Sequence, residues 1–100
     1  MARPIYKLWQ ARYTEAWYRL SPEEQQQLTA QAVAAAKQAG GRSVVLCDSA
    51  WSNEQWGSFG VVEFPDAAAA QQHADLLNAL HCFRYIESRT ILGVAVDELP

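Results

Sequence analysis

Residues 42 to 64, RSVVLCDSAWSNEQWGSFGVVEF, hold two apolar stretches on either side of a polar loop. RSVVLCD (42–48) and WGSFGVVEF (56–64) are rich in Val, Leu and Phe, and SAWSNEQ separates them. Branched and aromatic runs bounded by Ser, Asn and Gly read as strands. So short a connection predicts that the two strands pair antiparallel.

Helix signals flank this pair on both sides. Upstream, Ser21 can cap a helix, Pro22 suits its first position and Glu24 can complete a capping box. The Glu23-Glu24 pair also suits the positive end of the helix dipole. That helix should run to about Ala39 and stop at Gly40-Gly41, where a left-handed cap is cheap. At 100° per residue, Leu28, Ala32, Ala35, Ala36 and Ala39 share one face, so the helix can lie close to what it covers. Downstream, Pro65 closes the strand and Asp66 can cap a second helix over about 67 to 80. Its apolar side carries Ala69, Ala70, His73, Leu76, Leu77 and Leu80.

Two further strands lie outside the helices. They are PIYKLWQARY (4–13) and YIESRTILGVAV (85–96), the latter with a bend at Gly93. TEAWYRL and HCFR are connectors. The order is therefore β-α-β-β-α-β, the split βαβ pattern of ferredoxin-like α+β folds. It predicts a four-stranded antiparallel sheet with two helices on one face. One hundred residues, half of them hydrophobic and 19% charged, suit a single domain spanning residues 1–100.

Composition excludes several functions. Eight Lys and Arg against eleven Asp and Glu give a net charge of −3, with no basic stripe for a nucleic acid. No apolar run approaches the roughly 20 residues of a membrane span. MARPIYKLWQ has no apolar signal-peptide core. Cys47 and Cys82 lie in separate segments outside any CxxC pair, so a reducing cytoplasm is the expected compartment. His81-Cys82 with Cys47 lacks zinc-site spacing, and neither a metal nor a cofactor is expected. Gly57 and Gly60 lack the spacing of a phosphate loop or a nucleophile elbow. They read as a bulge or a close backbone approach.

The strands are apolar on both sides. Phe59 and Val61 oppose Val62 and Phe64; Tyr6 and Leu8 oppose Ile5 and Trp9. Val44 and Leu46 oppose Val45 and Cys47, and Tyr85 and Ile91 oppose Ile86 and Leu92. A sheet face meeting water should alternate apolar and polar. An open apolar patch marks an interface, and a second copy on a two-fold axis covers it most simply. A homodimer with sheets face to face is therefore expected. Arg12, Glu63, Glu87 and Arg89 would line the enclosed space or its rim, or pair with one another on the surface.

The layout resembles the dimeric α/β barrel superfamily, which includes antibiotic-biosynthesis monooxygenases, muconolactone isomerases and stress-responsive barrel proteins. It is more closely similar to an uncharacterised bacterial family of about this length. KLWQARYTEAWYRLSPEEQQQ, WGSFGVVEFPDAAAAQQHADLL and CFRYIESRTILG carry the likeness. An aromatic pair near the end of the second helix is only partly kept, as His81-Cys82-Phe83. The resemblance implies a dimeric barrel and carries over no functional residue, since such barrels host unrelated activities.

Three functions remain open. The first is a barrel binding a small aromatic or apolar molecule, with Trp9, Arg12, Trp51, Trp56, Tyr85, Glu87 and Arg89 as candidate contacts. The same tryptophans would equally serve a dimer interface. The second is a cofactor-independent monooxygenase or isomerase with His73 as general base. Alternatively, His73 is a structural group bonded to Tyr85 or to a strand backbone. The third is an interaction module with no ligand, its apolar second face serving assembly alone.

Overall fold

A computed structural model describes residues 3–97. The elements follow in order as β1 (Ile5–Tyr13), α1 (Glu15–Tyr18), α2 (Pro22–Gln38), β2 (Arg42–Asp48), β3 (Ser58–Phe64), α3 (Ala67–Ala79), α4 (Cys82–Tyr85) and β4 (Ile86–Gly93). The expected strands and long helices are all present. The two connectors each wind into a single helical turn, α1 and α4, and β4 ends at Gly93.

Local chemistry sets the helix ends. The Glu24 amide donates to the Ser21 hydroxyl at 3.1 Å, and the Ser21 amide donates to the Glu24 carboxylate at 3.0 Å, completing the capping box. At the other end Gly40 takes φ +84°, and the Gly40 and Gly41 amides donate back to Lys37 and Ala36. These two bonds satisfy carbonyls that the helix cannot. Asp66 caps α3 by accepting from the Ala69 amide at 2.8 Å.

The sheet order is β2-β3-β1-β4, every neighbouring pair antiparallel. Each βαβ crossover therefore spans one intervening strand. A register shift between Ser43 and Val45 puts the irregularity in β2, whereas the glycines had suggested one in β3. Gly60 instead answers to close approach: a Cβ there would stand 2.6 Å from the Trp9 ring.

The helices cover one face only. Ala39, Val62, Phe64 and Ala70 form a buried cluster, with Ile5, Trp9, Ala69 and Leu76 packed against it. Phe64 has no exposed surface. A second cluster joins Trp17, Leu28 and Cys82 beneath α2 and α4. The alanine stripe of α2 packs inward as expected, with Ala35 and Ala39 buried. Leu46 and Leu92 share the helix side but sit on the outer strands, where they stay exposed.

Candidate functional site

Strand register arranges the uncovered face as rungs running across the sheet. The first reads Arg42, Glu63, Tyr6 and Gly93 from β2 to β4. The second reads Val45, Val61, Leu8 and Ile91, and the third Cys47, Phe59, Gln10 and Arg89. Arg12 and Glu87 oppose each other on a fourth.

The second rung is apolar on all four strands. Ile91 is 66% exposed and Val45 42%. Tyr6, Leu8, Val61, Ile91, Val94 and Ala95 line an open concavity of about 450 Å³ over it.

Charged groups bracket this patch. At one end the Arg42 guanidinium donates to Glu63 Oε2 at 2.7 Å. That bond, with a second from Tyr6, holds the Glu63 carboxyl below its usual range. In return Glu63, as acceptor and as a negative charge, pushes the Tyr6 phenol up. At the other end Arg12 donates to Glu87 Oε2 through Nε at 3.0 Å and lies 2.8 Å from it through Nη2. The Arg12 guanidinium carbon also lies 5.0 Å from the centre of the Trp56 ring. Arg89 stands between this corner and the apolar rung.

The expected contacts divide between the two faces. Arg12, Glu87 and Arg89 gather at one corner of the uncovered face, and Trp56 lies buried against Arg12. Glu63 is on the same face at the opposite end. Trp9 instead packs into the helix-side cluster, because it shares strand parity with Ile5. Tyr85 belongs to α4 and packs on the second cluster. Trp51 is 84% exposed in the loop after β2, its indole N–H donating to the Asp48 carbonyl at 3.0 Å.

His73 is buried on the helix side, tilted against Phe64 with ring centres 5.1 Å apart. Its Nδ1 lies 3.1 Å from the Lys7 Nζ, so its partner is neither Tyr85 nor a strand backbone group. Lys7 is buried too, between Val62 and Leu92 in register. Burial first, and then the Lys7 charge, lowers the His73 pKa from 6.5 to about 4. Burial also lowers that of Lys7. A neutral imidazole can accept at Nδ1 from one N–H of the ammonium.

Two parts of this arrangement escaped the sequence reading. Lys7 lies inside an aromatic strand, where only its parity with Ile5 and Trp9 marks it for their side. Tyr6, Leu8, Val61 and Ile91 stand among the doubly apolar strand residues and outside the contact set of Trp9, Arg12, Trp51, Trp56, Tyr85, Glu87 and Arg89. Their shared rung follows from the pairing register, which no single strand reveals.

No family model and no curated protein matches the chain. Solved structures do share its architecture. A chlorite dismutase-like protein superposes with a TM-score of 0.72 at 22% identity, covering 96% of this chain and 46% of its own. The chain thus spans about half the length of that protein. SnoaB, a cofactor-independent oxygenase from Streptomyces nogalater, aligns over 99% of both chains with a TM-score of 0.57 and 15% identity. A dimeric ferredoxin-like protein of unknown function from Thermobifida fusca gives a TM-score of 0.53 at 10% identity, over 95% of this chain and 93% of its own. The chain has a ferredoxin-like fold. Among the described residues no helix is long and apolar enough to cross a membrane.

Proposed function

We propose that two copies of the chain pair through their uncovered sheet faces and that the space between them binds a small aromatic or apolar molecule. The observation that carries this reading is the second rung, apolar on four strands and left open by the helices. Fully burying one such side chain contributes roughly 1.5–3 kcal/mol. A two-fold partner presents the same rung in return, so both copies gain. The dimeric state of the Thermobifida protein supports the same arrangement. The concavity over Leu8, Val61 and Ile91 would become the enclosed chamber. Free thiols at Cys47 and Cys82 suit a reducing, cytoplasmic setting in a bacterial cell.

Catalysis as a cofactor-independent monooxygenase or isomerase would need a base within hydrogen-bond reach of the substrate. His73 lies across the sheet from the concavity, so binding is the reading that the geometry favours. Sedimentation tests it directly. The mass should be twice the 11.2 kDa of the chain, and Ile91→Arg should return it to one copy. An apolar fluorophore should bind the wild-type dimer in stoichiometric amount. A dimer that takes up none of it would have a filled interior and serve assembly alone.

A further inference from the structure

We infer that the bound molecule is an anion, a carboxylate or similar acidic group on a planar apolar body, and that Arg89 receives its charge. This rests on the paired-sheet reading above. The uncovered rungs carry Arg12, Arg42 and Arg89 against Glu63 and Glu87. Glu87 is engaged by Arg12 and Glu63 by Arg42. Arg89 makes no ion pair among the described residues. A chain of net charge −3 thus keeps a cationic surplus on this face.

Covering the face turns that surplus into a requirement. A guanidinium withdrawn from water without a counter-charge is costly. A second copy cannot supply the missing charge, because it brings the same three cations and two anions. Among the described residues the deficit is one negative charge per copy, and an acidic ligand meets it. Position supports this assignment. Arg89 is the next residue on its face after Ile91, and it opposes the Gln10 amide across the ladder. An acid held by the Arg89 fork, with Gln10 donating beside it, would lay its body over Leu8, Val61 and Ile91. A flat body laid along the rung meets Leu8, Val61 and Ile91 together, which favours a planar one.

Calorimetric titration of the wild-type protein with 2-naphthoate and 2-naphthamide tests the charge on a constant ring system. The acid should bind about tenfold or more tightly than the amide, as expected for hydrogen bonds to a charged group. Arg89→Gln should abolish that preference and Arg89→Lys should keep part of it, with the sedimentation mass unchanged in both. Equal affinity for acid and amide would overturn the anion while leaving the binding chamber standing. A preference surviving Arg89→Gln would overturn the assignment of Arg89. If Arg89→Gln instead split the dimer, Arg89 would be pairing with an acidic group of the partner copy, against this inference. A monomeric wild-type protein, or a dimer that binds neither compound, would overturn the underlying reading as well.

Discussion

The two faces of the sheet use similar residues to different ends. On the helix side, Val62 and Phe64 are buried by the protein's own elements, yet the rung through Val62 also holds the one buried ammonium among the described residues, Lys7. On the other side, Val61, Leu8 and Ile91 form a purely apolar rung that no helix among the described residues covers. The polar intruder is thus inside and the apolar excess outside. The inner face can accept Lys7 because His73 meets its amine. On the proposed pairing, the outer face keeps its apolar rung for a second copy to bury.

Paired truncations break this comparison most sharply. Phe64→Ala removes a side chain with no exposed surface and should cost about 3–5 kcal/mol in chemical denaturation. Phe59→Ala, one strand step from the apolar rung on the open side, should cost much less under conditions that keep the protein monomeric, and should weaken self-association instead. Equal losses in the monomer would mean that the open face contributes to a core of its own.

Acid titration sharpens the inner half. His73 titrates near 4 when folded and near 6.5 when unfolded, so the unfolded chain binds more protons between those values. Stability therefore falls as pH drops from about 6.5 to about 4. At about 1.4 kcal/mol per unit, the loss is on the order of 3 kcal/mol. His73→Phe should flatten that part of the profile in urea melts across pH. Lys7 acts with the same sign in alkali. Its lowered pKa means that stability rises as pH climbs toward the ordinary 10.5.

Smaller effects follow from contacts at the edges of the two faces. Gly60→Ala drives a methyl group into the Trp9 ring and should cost about 1–3 kcal/mol, with a changed tryptophan spectrum. Breaking the exposed Arg42–Glu63 pair with Arg42→Ala should cost no more than about 1 kcal/mol, and less at high salt. Glu63 should then titrate closer to an ordinary carboxylate, since Arg42 is the main cause of its lowered pKa.

Much of the fold was legible because local and periodic signals agreed. Ser21 with Glu24, Gly40 and Asp66 each end or begin a helix through bonds to nearby backbone, and such contacts need no tertiary information. The doubly apolar strands were equally plain. Which face the helices would take was not, since Tyr6, Leu8 and Val61 are nearly as apolar as Ile5, Trp9 and Val62. That ambiguity keeps Trp9 among the candidate contacts and hides the meeting of Lys7 with His73, two residues 66 positions apart. Glu87 and Arg89 share a face by parity within one strand, but the corner they form with Arg12 depends on the register between β1 and β4.

The glycine turn after α2 reaches further than a helix stop. A Cβ at Gly41 would lie 2.8 Å from the Phe64 ring and 2.9 Å from both the Ala36 carbonyl and a Val62 methyl. The end of the helix is therefore pressed against the centre of the main cluster, with no slack between them. Fraying there would expose Phe64 at once, so the Gly41 amide should exchange with deuterium only when the whole molecule opens. A helix terminus, usually the first place for solvent to enter, would then number among the slowest-exchanging sites in the chain.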